Sequence, residues 1–397
     1  MSCNHKKSYI VPTSNTWHKR GELLINPNDT DIENVRNLEK SLKSQISKLE
    51  NLREEVRKLK FVPIDPIGSY ISVTYKAIDG GKMKISFEPL EIDLIEVADS
   101  YGNLKMKFVL PKESDESDEE ESDVIEEGNF LDEDPIVRKF LDMLGKKSVR
   151  EISEILNQSD TYMELSEWAC IFERIANSSD DPIILMRDGL LRTKKIKAEL
   201  IPNLWDILKE KKRLVKLVGV SKTSKVMTLL STAISMEHVF PSNSIGYVKI
   251  PRNLEVRAYR WSGKGKISET KNKIYYAFGD LYIAKLSRNS NLLVTVEIPR
   301  DLKNDQEIYS EREITELMAH LAKDSAYSYP VLGYPQTIMK AHEAAARVGF
   351  PASVVRDKIM DRLKEMLDAD GRDFMRDASV LTEFVNKGVL GGGYIDE

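Results

Sequence analysis

Four consecutive apolar side chains, Ile183 to Met186, run directly into Arg187-Asp188-Gly189, and no other segment constrains the fold as strongly. A run this short, without polar alternation and closed by a glycine, matches a strand buried on both faces, as in a parallel sheet covered by helices. The segments after it agree. PNLWDILKEKKRL has helical spacing, and VKLVGVS, residues 215–221, reads as a second strand. Upstream, YISVTYKAID, KMKISFEPL, LIEVA and LKMKFVL are β-branched and aromatic runs separated by turn-formers, which predicts an antiparallel meander of three or four strands. YVKI, YYAFGDLYIAKL and LLVTVEIP add strands, and helices are expected around 311–324, 335–348 and 351–368. Strands first and β-α-β alternation later imply an α/β fold with a mixed sheet flanked by helices.

Before the sheet, Ile32, Val35, Leu38, Leu42, Ile46, Leu49, Leu52, Val56 and Leu59 recur three or four residues apart among polar neighbours, the pattern of a long amphipathic helix. Such a helix either packs on the protein's own core or meets a second subunit as a hairpin or coiled coil. Pro63, Pro66 and Gly68 break the pattern. The expected organisation is therefore an N-terminal helical region (1–62), a central domain (63–350) and a C-terminal helical extension (351–397).

Charge is unevenly spread. The formal net charge is −5, yet residues 112–134, KESDESDEEESDVIEEGNFLDED, are almost wholly acidic or hydroxylic. With too few apolar side chains to fold, this stretch is expected to be a solvated insert, with a DNA-mimicking or partner-binding tail as the other reading. Without it the remainder is net basic, and DGLLRTKKIK and KEKKRLVKLVGVSKTSK concentrate Lys and Arg between 188 and 225. The field a polyanion meets is local, so an acidic total does not exclude DNA binding. Cys3 and Cys170 are the only cysteines, which excludes a disulfide framework and a cysteine-rich zinc site. No stretch approaches the roughly 18 apolar residues of a membrane span, and no secretion signal is present, so a cytoplasmic protein is expected.

Asp79-Gly80-Gly81 reads first as a hairpin turn, since Asp-Gly between two strands is the commonest such signature, and second as a metal ligand at a strand end. Asp188-Gly189, leaving a buried strand beside a basic run, points more directly to a metal and a phosphate. Two aspartates on neighbouring strands can share two Mg²⁺ or Mn²⁺ ions about 4 Å apart, which stabilise both oxygens of a phosphodiester hydrolysis. A third carboxylate is expected from Glu164, Glu167 or Glu173 on the helix between them. His342, in the small-residue run AHEAAA, is either structural or a proton donor, and Tyr334 offers a hydrogen bond. Lys222, Thr223 and Ser224 fit a phosphate contact or a plain turn, and Arg192, Lys194 and Lys195 fit a DNA-binding surface.

Taken in order, IDGG, ELSEW, RDGLL, GVSKTSK and GYPQTIMKAHEAA resemble the NurA nuclease family over residues 79–349. The resemblance implies an RNase H-like fold, a homodimer, Mn²⁺, and DNA degradation in partnership with HerA, a hexameric DNA-translocating ATPase. It also implies Asp79 and Asp188 as metal ligands, Glu167 before Trp168 as the helical carboxylate, Tyr334 and His342 as catalytic residues, and Lys222 as a nucleic-acid contact. Two departures stand out. Gly81 occupies the place where the family commonly has serine, and NSSDDP lengthens the interval from Glu167 to Asp188. Function classes left open are a metal-dependent deoxyribonuclease acting on single strands and ends, a non-catalytic subunit that docks on such an ATPase, and a transposase- or Argonaute-like relative.

Overall fold

The computed structural model describes residues 32–65, 73–87, 90–112, 128–153, 159–178, 181–259 and 277–347, with positions 354, 358 and 361 beyond them. The N-terminal 31 residues, the core of the acidic insert and almost all of the expected C-terminal extension, with all but positions 354, 358 and 361 of the helix expected at 351–368, lie outside that set.

In chain order the elements are α1 (Ile32–Arg57), β1 (Phe61–Pro63), β2 (Thr74–Phe87), β3 (Leu90–Asp99), β4 (Leu104–Lys112), α2 (Gly128–Glu133), α3 (Pro135–Leu144), α4 (Val149–Ile152) and α5 (Ser159–Ala176). They continue as β5 (Ile183–Asp188), a short 3-10 turn, α6 (Ile201–Lys211), β6 (Val215–Ser221), α7 (Lys225–Met236), β7 (Gly246–Lys249) and α8 (Arg252–Ala258). The last are β8 (Gly279–Lys285), β9 (Val294–Asp301), β10 (Gln306–Glu307), α9 (Glu311–Ser325) and α10 (Gln336–Ala346).

Among the described residues the strands form one sheet, ordered β1-β7-β8-β9-β6-β5-β2-β3-β4, with β10 on β9. β2 pairs antiparallel with β3, and β3 with β4, whereas β2, β5 and β6 run parallel. The segment β4-β3-β2-β5-β6 is the strand arrangement of an RNase H-like core, and β9 extends it antiparallel to β6. Position in the sheet explains the apolar run at 183–186: β5 is hydrogen-bonded on both sides and its first five residues are buried.

Two expectations are corrected. Asp79-Gly80-Gly81 is no hairpin turn, because β2 passes straight through it for 14 residues, with Asp79 opposite Ala98 and Gly81 opposite Glu96. YKAID and KMKISF are therefore one strand, and the meander has three strands. The acidic stretch 112–134 is not solvated throughout. Residues 128–133 form α2, Leu131 is buried in the main core, and Asp134 caps α3 by accepting hydrogen bonds from the N–H groups of Ile136 and Val137. One helix has no counterpart among the expected elements: α7 follows Ser224, whose hydroxyl accepts from Met227 N–H as its N-cap.

The C-terminal half of α1 packs on the protein's own core. Leu52 and Val56 join Val226, Leu230 and Ile234 of α7 in a second apolar cluster. Arg53 and Arg57 on α1 both bind Glu237 just past the end of α7.

Candidate metal centre

Adjacent parallel strands hold the two aspartates side by side. Ile78 on β2 is in register with Arg187 on β5, so Asp79 and Asp188 follow as neighbours. Side chains alternate across a strand. Asp79 and Gly81 face α10, while Gly80 between them faces α5. On β5, Asp188 likewise faces Tyr334 and His342, while Arg187 turns to the α5 side.

Both glycines are needed for close approach. A Cβ on Gly80 would stand 2.6 Å from Glu167 Oε1 and 2.7 Å from Met163 Cγ; one on Gly81 would stand 2.2 Å from the Ala345 carbonyl oxygen. On the α10 side, Ala98 of β3 closes a small cluster with Ala344 and Ala345. These small residues let α10 lie almost on the strands, which lowers His342 onto the aspartates. The family's serine in place of Gly81 would not fit under this helix.

One ligand atom each from Asp79, Asp188 and His342 lie within 4.8 Å of one another. His342 Nδ1 is 2.9 Å from Asp79 Oδ2 and 3.6 Å from Asp188 Oδ2. The Tyr334 ring is fully buried, and its hydroxyl lies 2.6 Å from Asp188 Oδ1 and 2.9 Å from the Val220 carbonyl. With one proton to give, it serves the carboxylate, the stronger acceptor. Asp79 Oδ1 accepts from Gly80 N–H at 3.0 Å.

Electrostatically, the cluster calls for a cation. Burial, and then the Asp79 charge, push the Asp188 carboxyl above its ordinary range, against the Tyr334 hydrogen bond. The hydrogen bond to Asp79 holds His342 above an ordinary imidazole. Lys222 Nζ sits 4.5 Å over the Tyr334 ring and adds positive charge beside Asp188. Two carboxylates and an imidazole within ligand distance are a donor set suited to Mn²⁺ or Mg²⁺, so the residues fit such an ion.

The helical carboxylates occupy different places. Glu167 lies on the other face of the sheet. Its Oε1 accepts from Gly80 N–H at 3.0 Å, and its Oε2 receives Arg187 Nε at 3.1 Å and Nη2 at 2.9 Å. Burial pushes it up to about 7, against the pull of Arg187. Glu164 shares the same guanidinium at 3.3 Å, and Glu173 pairs with Asn177 at the far end of α5. The three ligand atoms nearest one another thus come from Asp79, Asp188 and His342, with Glu167 engaged beneath Asp79.

Among the expected DNA contacts, Lys194 is exposed and Lys195 half-buried on the segment after β5. Partial burial, and then the charges of Lys225 and Lys195, lower the Lys194 pKa. Arg192 is a correction. Its guanidinium is buried, bound to Glu255 and Glu297 at 3.0 Å each, and lies 4.3 Å over the Tyr259 ring. That leaves it inside the fold, not on a DNA surface. Arg187 belongs to the site without being among the expected residues, although a lone arginine in an otherwise apolar buried strand requires an acidic partner.

The NurA domain matches residues 73–347. Among solved structures, the NurA nuclease from Sulfolobus solfataricus is 13% identical, covers 85% of this chain and 98% of its own, and has a TM-score of 0.39. A NurA structure determined with manganese is 9% identical, with coverages of 84% and 99% and a TM-score of 0.38. Marinitoga piezophila Argonaute, in complex with guide RNA and target DNA, is 13% identical over 70% of this chain and 31% of its own, with a TM-score of 0.26. A search of curated proteins finds no match. The domain match spans more than half of the residues and takes in Asp79, Glu167, Asp188, Tyr334 and His342, and on that ground the chain belongs to the NurA family.

Proposed function

We propose that this protein is a divalent-metal-dependent deoxyribonuclease that hydrolyses phosphodiester bonds in single-stranded DNA and at DNA ends. The observation that carries the reading is the convergence of Asp79, Asp188 and His342, with Tyr334 fastened to Asp188. Mn²⁺ is the ion of first choice, by family resemblance, with Mg²⁺ as the alternative, and two ions are expected. When bound, they supply charge stabilisation for the attacking and leaving oxygens.

The protein's own groups have separate tasks. Tyr334 holds Oδ1 of Asp188, which leaves Oδ2 turned towards His342 and Asp79. The single N–H of Gly80 is shared between Asp79 Oδ1 and Glu167 Oε1, 3.0 Å from each, which ties Asp79 to Glu167 and through it to Arg187. The resemblance implies Glu167 as a metal ligand, but it lies on the face away from Asp79, Asp188 and His342, so we assign it instead the task of holding the geometry of Asp79 from the opposite face. His342, half exposed, has one of two roles: its Nδ1 lends a lone pair to the cation as the third ligand, or the protonated ring donates to a departing oxygen, since one nitrogen cannot do both at once. Lys222 is placed to meet a phosphate beside Tyr334, and Lys194 and Lys195 to attract the strand electrostatically. Work with a HerA-type hexameric ATPase, a homodimeric state and a cytoplasmic location complete the proposal by family resemblance. Among the described residues no helix is long and apolar enough to cross a membrane.

The test is digestion of labelled single-stranded DNA with Mn²⁺ by the wild type and by Asp79→Asn and Asp188→Asn, alongside calorimetric titration of the ion. Both variants should lose cleavage and weaken Mn²⁺ binding while melting like the wild type. Wild-type cleavage by either variant refutes the site assignment. A wild-type protein that binds DNA and never cuts it favours the docking-subunit reading.

A further inference from the structure

The segment joining α9 to α10 carries two aromatic side chains that the fold does not use. Tyr327 is 89% exposed and Tyr329 80%, the two most exposed large hydrophobic residues described. Single exposed apolar residues are ordinary. Two tyrosines turned outward from a firmly braced backbone are a different matter.

The bracing is explicit. The Ser328 hydroxyl lies 2.8 Å from the Val331 carbonyl and accepts from Gly333 N–H at 3.0 Å. Gln336, the first residue of α10, accepts from Tyr329 N–H at 2.7 Å through Oε1, and its Nε2 donates to the Tyr329 carbonyl at 3.3 Å. Gly333 turns the chain with φ of 92°, and Tyr334 N–H closes on Val331. Backbone order is thus already present. A ligand that covers the rings has only side-chain freedom to remove, and a tyrosine ring has little of it.

Position points to the ligand. The same segment ends in Tyr334, whose hydroxyl holds Asp188. Tyr329 and Tyr327 are five and seven residues from Tyr334, and fully extended chains of those lengths span at most about 18 and 25 Å. Both rings therefore stand within a few nucleotides of a phosphate that a cation at the aspartates would hold.

We propose that Tyr327 and Tyr329 form a stacking platform for bases of an unpaired DNA strand whose phosphate lies at Asp79, Asp188 and His342. This rests on the nuclease reading above and deepens it by naming what selects the substrate. Base faces in a duplex are covered by their neighbours, so flat rings accept bases only from an unpaired strand, and with little regard to sequence. Single-strand preference then comes from these tyrosines, separately from the metal site.

The experiment is fluorescence anisotropy with the full-length protein in EDTA, which prevents cleavage. The probes are a short fluorescein-labelled oligothymidylate, an abasic strand of equal length, and a blunt duplex. The double variant Tyr327→Ala with Tyr329→Ala should bind oligothymidylate about five- to 150-fold more weakly for each base that loses its ring. The abasic strand and the duplex should be unaffected, and the double phenylalanine variant should bind like the wild type. Unchanged affinity of the alanine variant for oligothymidylate overturns the proposal and leaves the tyrosines as a protein-docking surface. An equal loss for the abasic strand overturns it too, since bases would not be what is recognised. A wild type that binds oligothymidylate but fails to cut it with Mn²⁺ refutes the nuclease reading and leaves the platform standing.

Discussion

Gly81→Ala tests whether helix proximity builds the site. The new Cβ would lie 2.2 Å from the Ala345 carbonyl oxygen and 2.7 Å from its carbon, against an ordinary contact of 3.4 Å or more. Relief requires β2 and α10 to separate by about 1.2 Å, because the obstacle is backbone and cannot rotate away. His342 lies one turn before Ala345 on the same helix, so its 2.9 Å contact with Asp79 lengthens to roughly 4 Å, beyond hydrogen-bond and shared-ligand range. Overpacking of this kind costs about 1–3 kcal/mol, and a 1 Å misplacement at a reacting centre costs about a hundredfold in rate. The variant should therefore melt a few degrees lower and cleave single-stranded DNA about a hundredfold more slowly. Gly81→Ser should fare no better, although serine is common there in the family. Ala345→Gly should fail to rescue either, since the carbonyl stays in place. Gly81→Ala with wild-type rate and melting temperature would show that α10 yields freely and that its approach does not set the geometry.

Arg187→Met leaves Glu167 buried without its cation, and breaking a buried pair in this way costs about 3–5 kcal/mol; urea unfolding measures it, and a loss under about 1 kcal/mol would refute the account. Acid should loosen α1 from α7. Hydrogen bonds from Arg57, and then Arg53, bring Glu237 down from its usual 4.5 to about 2 in the folded protein. Its contribution is whole above pH 4.5 and fades as pH falls towards 2, so the wild type should lose melting temperature over that window more steeply than Glu237→Gln. Parallel curves would refute the link.

Much of the sheet was legible because burial writes itself into apolar runs, unbroken at Ile183–Met186 and broken only by Lys216 at Val215–Val220. Asp79-Gly80-Gly81 misled because its local preference for a turn is real but small beside the register that β3 and β5 impose from both sides. The glycines answer to helices overhead, α5 on one face and α10 on the other, and nothing within the strand's own sequence announces them. At 128–133 the acidic composition hid a short helix, while the helical patterning from Asp134 onward was legible. Asp134-Pro135 is a helix start, and Leu131 gives the preceding turn an apolar anchor.

The site was legible residue by residue but not as a geometry. Asp79, Asp188, Tyr334 and His342 each stood out, yet the helical carboxylate and the histidine were given unequal roles, metal ligand and proton donor, that the pleat redistributes. Residues 79 and 188 share a face with α10; residues 80 and 187 share the other with α5. Any side chain on α5 therefore meets the backs of the two strand ends, and Arg187, needing a buried counter-charge, takes Glu167 there. By the same alternation the third group beside the aspartates has to come from α10, where Ala341, Ala344 and Ala345 are small enough to bring the helix down and His342 is the side chain that points back. The small residues around His342 were the signal: a histidine embedded in alanines on a helix that must touch a glycine strand is carried to whatever that strand presents, and here that is a carboxylate.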